Sequence, residues 1–285
     1  MTKLSPLRIA EKKSAPLAVV VIFFIWLLFP KNALALIAPV LLPLTSGCSG
    51  STSFVALEWS GVAGATNYRV VREGDTIATV TATTHNDLTV QATQTYDYYI
   101  VAQNTTEQSP RSNTRTIRAG RCGPVLTVAG RSCQTDGPKI DLSWNRLSNV
   151  QSYDVLRDGV AIAEDLPSNR STYSDTFAVG AQRYVYNVQA NWSNESKSSN
   201  DAIEIAPACP VTLSAQANCS APGAQASLAW NNLAGVTDYQ VFKQGSFHAS
   251  RGLSTSYSDI GVTQLQNFSY FIRAVYGTDS ADSAQ

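Results

Sequence analysis

The sequence predicts an all-β protein made of three tandem β-sandwiches, and two observations lead to this fold class. First, one unit recurs three times, because the segments VALEWSGVAGATNYRVVREG, IDLSWNRLSNVQSYDVLRDG and ASLAWNNLAGVTDYQVFKQG align without gaps. Second, apolar and polar residues alternate within each unit, which is the period of a strand with one buried face. Short strands separated by turn residues at close spacing are typical of β-sandwiches.

Composition bounds the partners of this chain. With 285 residues and 44% hydrophobic side chains, the chain can form folded cores. It has 21 basic and 21 acidic side chains, and no Lys/Arg cluster follows residue 13. Nucleic acid is excluded as an expected partner, because binding it requires a basic face that neutralises phosphates.

The first element, residues 1–35, is predicted to be an apolar targeting helix. A basic region (residues 3–13) precedes an unbroken apolar run, Leu17–Phe29, and the small-residue site Ala33-Leu34-Ala35 follows. The run is shorter than the ~20 apolar residues that span a bilayer, which favours a signal peptide cleaved after Ala35 over an uncleaved membrane anchor. Both alternatives place the remaining chain outside the cytoplasm, secreted or at the cell surface, where disulfides persist.

Each of the three repeat copies begins with a strand pair and a hairpin. In the first copy Val55, Leu57 and Trp59 alternate with more polar residues. Glycine supplies the positive φ that a tight hairpin needs, and the repeated turn dipeptides are Glu73-Gly74, Asp158-Gly159 and Gln244-Gly245.

The ordered motifs of the three copies resemble fibronectin type III repeats. A marker tryptophan, a Tyr-x-Val pair, a short Tyr-x-Asp-like stretch (HND, YSD, YSD) and a Tyr-x-Tyr-x-Val-x-Ala-like stretch (YDYYIVA, YVYNVQA, FSYFIRA) recur in this order. The resemblance implies domains at residues 36–121, 122–208 and 209–285. It also implies that Tyr96 and Tyr184 are tyrosine-corner residues whose hydroxyls bond to the chain upstream. Phe268 takes this place in the third copy and has no hydroxyl.

Five cysteines fall into two repeat positions. Cys48, Cys133 and Cys219 each precede a marker tryptophan by eleven residues, whereas Cys122 and Cys209 follow the last strand of copies one and two. Local pairs, Cys122 with Cys133 and Cys209 with Cys219, would require strand ends ~30 Å apart to approach within about 7 Å. We therefore favour the alternative in which each sandwich is closed by its own disulfide. The expected pairs are Cys48–Cys122 and Cys133–Cys209, with Cys219 unpaired.

The third copy is expected to be incomplete and to lack its last strand. After Ala274 the sequence continues only through VYGTDSADSAQ, with no counterpart of TRTIRA or AIEIAPA. One explanation is that the sequence stops before the end of the unit. The other is that another subunit donates the missing strand to an open edge, which would allow self-assembly through the third domain.

No motif for catalysis, a cofactor or a metal ion appears, so the chain is not expected to be an enzyme. His85 and His248 occupy different repeat positions. The recurring aspartates are interpreted as turn or strand-end residues: Asp87, Asp175 and Asp259. Trp192 and Tyr276, near the loop after the sixth strand, are candidate ligand contacts, and the alternative for Trp192 is that it caps the core.

A lipid anchor at Cys48 is not expected. The segment APVLLPLTSGC aligns with GPVLTVAGRSC and CPVTLSAQANC, so cleavage at Cys48 would remove the first strand of the first sandwich. The predicted function is a non-catalytic extracellular array that acts as an adhesion or spacer module and binds protein or polysaccharide. The alternatives are an accessory part of a larger secreted polysaccharide-degrading enzyme and a structural subunit that assembles by strand donation.

Overall fold

The structure is a computed structural model that describes residues 35–219 and 223–285. These residues form 22 β-strands with turns between them, and no helix occurs in the described ranges. Within the same ranges nothing is long and apolar enough to be a membrane-spanning helix. The expected targeting helix, residues 1–35, lies outside the described residues except for Ala35.

The first sandwich has a three-stranded sheet facing a four-stranded sheet. The order is β1-β2-β5 in one sheet and β4-β3-β6-β7 in the other, and all pairs given are antiparallel. The strands are β1 (Thr45–Ser49), β2 (Thr52–Glu58), β3 (Asn67–Arg72), β4 (Asp75–Val80), β5 (Thr84–Asp87), β6 (Thr95–Gln103) and β7 (Arg115–Arg118).

The second sandwich repeats this arrangement. One sheet has the order β12-β9-β8, and in the other β11-β10-β13 is continued by β14 and β15, which both pair with β13. The strands are β8 (Leu126–Gln134), β9 (Gly137–Trp144), β10 (Ser152–Arg157), β11 (Val160–Pro167), β12 (Thr172–Asp175), β13 (Arg183–Asn191), β14 (Ser196–Ser198) and β15 (Ala202–Ile205).

The third sandwich has the sheets β16-β17-β20 and β19-β18-β21-β22. Its strands are β16 (Leu213–Asn218), β17 (Gln225–Trp230), β18 (Asp238–Lys243), β19 (Ser246–Ser250), β20 (Ser256–Asp259), β21 (Tyr270–Tyr276) and β22 (Asp279–Asp282). The strand that the sequence predicts to be missing from this sandwich is the counterpart of β15. β22 corresponds to β14 and pairs with β21, whereas the described residues contain no counterpart of β15.

A buried Trp–Tyr pair forms the centre of each core. The ring centroids of Trp59 and Tyr68 are 5.7 Å apart, and the copies in the other sandwiches are at 5.7 and 5.8 Å. The Tyr68 hydroxyl also accepts a hydrogen bond from the Val62 backbone N–H at 2.8 Å. The marker residues of the repeat are therefore core residues, and the tyrosine hydroxyl anchors the turn after the tryptophan. Their counterparts are Trp144 with Tyr153 and Trp230 with Tyr239.

The tyrosine corners have the geometry that the resemblance implies. The hydroxyls of Tyr96 and Tyr184 accept hydrogen bonds from the backbone N–H groups of Gln91 and Val179, each at 2.9 Å. These bonds hold the loop that joins the two sheets. Phe268 makes no such bond, and the Lys243 ammonium lies 4.3 Å from its ring centroid.

Candidate functional site: the joints between sandwiches

Two disulfides join the first strand of a sandwich to the segment after its last strand. The sulfurs of Cys48 and Cys122 are 2.05 Å apart, and those of Cys133 and Cys209 are 2.07 Å apart. Both pairs are those favoured by the repeat spacing. Cys219 is free and exposed. Each disulfide closes its sandwich at the pole from which the chain enters the next one.

Joint one, between the first and second sandwiches, is largely polar. Arg121, in the linker, donates a hydrogen bond to the Glu195 carboxylate at 2.5 Å and its guanidinium lies 4.9 Å from the centre of the Trp192 ring. The Trp192 indole N–H donates to the Ser148 carbonyl at 3.2 Å. A cleft of about 440 Å³ separates these residues from the loop Gln91–Gln94 of the first sandwich. Joint one therefore combines an ion pair, a guanidinium over an aromatic ring and a solvent-accessible cleft.

Joint two, between the second and third sandwiches, is apolar and close. A Cβ placed on Gly180 would collide with the Tyr276 ring, and one on Gly235 would collide with the Val179 side chain. Gly235 also has φ of 89°, a left-handed conformation that favours glycine. The Tyr276 hydroxyl donates to the Cys209 carbonyl at 2.8 Å. Gly180 thus lets the loop of the second sandwich approach the Tyr276 ring of the third. Gly235 lets the third sandwich approach Val179 of the second.

The two candidate ligand contacts occupy these joints. Trp192 directly follows β13, Tyr276 is the last residue of β21, and the two side chains are only 8% and 5% exposed. Burial raises the pKa of Tyr276 to about 12. These positions fit the core-cap alternative, with the addition that each ring faces the preceding sandwich. In the first sandwich Asn104 occupies the same place, and its side-chain amide donates to the Gly64 carbonyl at 3.3 Å.

A buried charged cluster anchors the loop before the sixth strand of each sandwich. In the first two sandwiches this loop lies at a joint. Asp87 is 2% exposed and receives hydrogen bonds from Arg72 at 2.7 Å and from the Tyr98 hydroxyl at 2.8 Å. Its other oxygen accepts the backbone N–H of Thr89 at 2.9 Å. The second and third sandwiches repeat the cluster with Arg157, Asp175 and Tyr186 and with Lys243, Asp259 and Tyr270.

The environment of Asp87 shifts its pKa. Burial alone raises the pKa of the carboxyl, but the hydrogen bonds from Thr89 and Tyr98 and the charge of Arg72 together hold it below its usual value. Burial and the bond to Asp87 raise the pKa of Tyr98. Asp259 behaves in the same way, with a lowered pKa. Asp87 and Asp259 are therefore charged groups that fix a loop, in agreement with the turn or strand-end interpretation.

The histidines and acidic residues are the side chains most relevant to metal binding and catalysis. No group of three or more His, Cys, Asp or Glu residues in the described ranges could hold a metal ion. The His248 ring nitrogen lies 2.9 Å from the Tyr257 hydroxyl and 3.7 Å from Asp259, on the edge of the charged cluster of the third sandwich.

Three proteins are similar to this chain. It is 23% identical over 244 residues to exoglucanase B of Cellulomonas fimi. The alignment covers 76% of this chain and 22% of the exoglucanase. It is 39% identical over 79 residues to an amylopullulanase of Thermoanaerobacter thermohydrosulfuricus, covering 26% of this chain and 5% of the relative. It is 23% identical over 256 residues to mouse fibronectin type III domain-containing protein 7. The alignment covers 87% of this chain and 34% of the mouse protein. The chain thus spans about a third or less of the length of these relatives.

Solved structures also align with the chain. The central fibronectin-III array of RIM-binding protein covers 87% of it at 19% identity and a TM-score of 0.27, with 96% of that chain matched. A two-domain fibronectin type III segment of chicken tenascin covers 59% at 18% identity and a TM-score of 0.33, with 98% matched. No protein-family model matches the chain. By its strand order and repeated motifs, the chain is a tandem array of fibronectin-type-III-like β-sandwiches.

Proposed function

We propose that the chain is a non-catalytic extracellular spacer whose sandwiches are held at defined angles by their joints. The observation that supports this most directly is that Trp192 and Tyr276 are buried at the joints, where Arg121 of the linker lies over the Trp192 ring and Gly180 of the preceding sandwich lies beside the Tyr276 ring. A residue that a spacer uses to fix a joint is buried against its neighbour, whereas a ligand contact must be accessible. Such an array would keep the protein parts at its two ends at a set separation.

Residual dipolar couplings measured by NMR on the full chain test the spacer role. A stiff joint makes neighbouring sandwiches share one alignment tensor, and we expect this most clearly for the second and third. Independent tensors for all three sandwiches would contradict the proposal. The variant Gly180→Leu provides a control, because its side chain would push against Tyr276 and should separate the tensors of these two sandwiches.

A second candidate is that the array is an accessory part of a larger secreted polysaccharide-degrading enzyme. The similarity to an exoglucanase and an amylopullulanase supports it, because the chain matches only a fraction of each enzyme's length. Depletion of the chain by insoluble cellulose or starch tests for polysaccharide binding. A spacer should remain in the supernatant, and specific depletion would favour an adhesion or accessory role.

The proposed location is outside the cytoplasm, secreted or held at the cell surface. Two disulfides fit an oxidising compartment. A lipid thioether at Cys48 would require the sulfur that is bonded to Cys122. Mass spectrometry of the mature product should show an amino terminus at Leu36; a lipid-modified Cys48 at the amino terminus would contradict this proposal.

A further inference from the structure

The cleft at joint one is lined by polar side chains at repeat positions that are apolar or glycine at joint two. The paired positions, with the residue at joint one given first, are Gln91 and Val179, Thr93 and Ala181, Ser148 and Ala234, and Asn149 and Gly235. All four joint-one residues line the cleft. Joint one therefore places amide and hydroxyl groups where joint two has apolar side chains or none.

The cleft has the size and position of a small-molecule site. Its volume of about 440 Å³ falls within the range of about 300–1,000 Å³ that such sites occupy, and sites of this kind are frequent between domains. One wall is the loop Gln91–Gln94 of the first sandwich, and the other is the segment Leu147–Asn149 of the second. A molecule in the cleft therefore contacts both sandwiches.

Hydrogen bonds hold both walls in place. The Thr93 N–H donates to the Ala119 carbonyl at 2.7 Å, and the Ala119 N–H donates to the Gln94 carbonyl at 2.9 Å. On the opposite wall the Ser148 carbonyl accepts the Trp192 indole N–H at 3.2 Å. Because these bonds use backbone groups of the walls, the wall side chains stay available on a preformed frame. A preformed site loses less conformational freedom when a ligand binds.

Asn149 is the wall residue that differs most from the repeat. It is exposed and has φ of 58°, a left-handed conformation, and the other two sandwiches have Gly64 and Gly235 at this position. Glycine adopts this conformation more readily than asparagine. The side chains of Asn149, Gln91 and Thr93 make no hydrogen bond to other described residues. The walls thus present amide and hydroxyl groups that the protein itself does not use.

The charge on the cleft is already compensated. Arg121 is the one charged side chain among the described residues that line it, and its guanidinium donates to the Glu195 carboxylate at 2.5 Å. An anionic ligand would have to compete with Glu195, so the cleft fits a neutral ligand. The Trp192 ring is only 8% exposed beneath Arg121, so recognition depends on hydrogen bonds and not on stacking.

We propose that the cleft at joint one binds a neutral saccharide through the side chains of Gln91, Thr93 and Asn149. Each sugar hydroxyl both donates and accepts a hydrogen bond, and amide and hydroxyl side chains offer both kinds of group. A saccharide that bonds to both walls favours one relative position of the two sandwiches, so its binding should also stiffen joint one. The proposal goes beyond the spacer role and does not rest on it.

NMR titration of the full chain tests the site. The probes are four neutral tetrasaccharides: cellotetraose, maltotetraose, xylotetraose and mannotetraose. At least one should shift the backbone amides of Gln91, Thr93 and Asn149 in a saturable way below about 10 mM. Val179 and Ala181, at the matching positions of joint two, should not shift. Equal shifts at both joints, or no saturable shift with any of the four, would overturn the proposal.

Variants that copy joint two remove the polar groups with little change to the backbone. Gln91→Val and Asn149→Gly should each weaken binding of the saccharide at least about fivefold, because each removes a hydrogen bond. Asn149→Gly keeps the left-handed turn, since glycine suits it. Asn169→Gly, at an exposed turn away from the joints, is the matched control and should leave the affinity unchanged. Unchanged affinity in both cleft variants would place the saccharide elsewhere and contradict the proposal.

Inorganic phosphate distinguishes a neutral site from an anion site. It should leave the cleft amides unshifted, because Glu195 already neutralises Arg121. Shifts at the same amides that Arg121→Gln abolishes would show an anion site, and the proposal of a neutral saccharide would be wrong. The spacer role is tested by alignment tensors of the chain without saccharide, so the two proposals can fail separately.

Discussion

Joint one and joint two use the same repeat positions with different side chains. In joint one, Trp192 stacks against Arg121 beside a cleft, and the loop position facing the second sandwich is Ala92. In joint two, Gly180, the counterpart of Ala92, lies so close to the Tyr276 ring that an added Cβ would collide with it. Gly180 thus lets the Tyr276 ring approach the loop of the preceding sandwich more closely than an alanine at this position would.

The side chain at the end of the sixth strand differs between the sandwiches together with the neighbour that it faces. The second and third sandwiches have another sandwich in front of them and carry Trp192 and Tyr276 there. The first sandwich has no other sandwich before it among the described residues and carries Asn104, which bonds within its own loops. The aromatic residues that resembled ligand contacts in the sequence are therefore better explained as joint residues.

Removing the aromatic side chains should give the largest effect. Trp192→Ala and Tyr276→Ala should each lower the free energy of unfolding of their sandwich by about 3–5 kcal/mol, because a large buried ring leaves a cavity. Denaturant-dependent hydrogen exchange, resolved by sandwich, measures this. The control Phe177→Ala, whose ring is 80% exposed, should change stability by no more than about 0.5 kcal/mol. Unchanged stability in the first two variants would restore the ligand-contact interpretation.

Gly180→Ala should sharpen the comparison between the joints. The added methyl collides with the Tyr276 ring and should cost about 1–3 kcal/mol of stability in the joint. The reverse change at joint one is Ala92→Gly. Thermal unfolding of the full chain measures the stability change in each variant. Ala92→Gly should cost only about 0.5–1 kcal/mol, from the added freedom of the unfolded chain.

A double mutant separates the steric cause from others. In the Tyr276→Ala background the obstacle is gone, so Gly180→Ala should become neutral or stabilising, which is a coupling between the two sites. A cost that stays the same in both backgrounds would mean that the glycine is needed for a reason other than the close approach to the ring.

The sequence was sufficient for the fold and insufficient for the joints. The fold could be predicted because Trp59, Tyr68 and their counterparts recur at fixed spacing, and each belongs to the core of its own unit. The role of Trp192 could not, because alternation shows which way a side chain points and not which neighbouring unit it meets. The sequence does contain one signal for the close joint. Gly180 is a glycine at the repeat position that Ala92 occupies in the first copy.

Acid should weaken the first sandwich through Asp87, which anchors the loop at joint one. Its pKa is lower in the folded state than in the unfolded state, so its contribution to stability is present above the unfolded pKa and is lost as the pH falls through the folded pKa. Unfolding of the first sandwich, followed by hydrogen exchange from pH 7 downward, measures this. Asp87→Asn should be less stable at neutral pH and should show a shallower acid dependence; an equal dependence would assign the loss to other carboxyls.

The smallest effect is expected from Arg121, and it distinguishes the two joints by their response to salt. Arg121 and Glu195 are 21% and 30% exposed, so their ion pair should contribute only about 0.5–1 kcal/mol and weaken as salt is added. Arg121→Gln should loosen joint one, measured as diverging alignment tensors of the first two sandwiches. High salt should loosen joint one in the unmodified chain in the same way and leave joint two unchanged, because Gly180 and Tyr276 meet through apolar contact. Arg121→Lys keeps the charge but replaces the planar guanidinium over the Trp192 ring, so an intermediate effect would show that the ring contact contributes beside the ion pair.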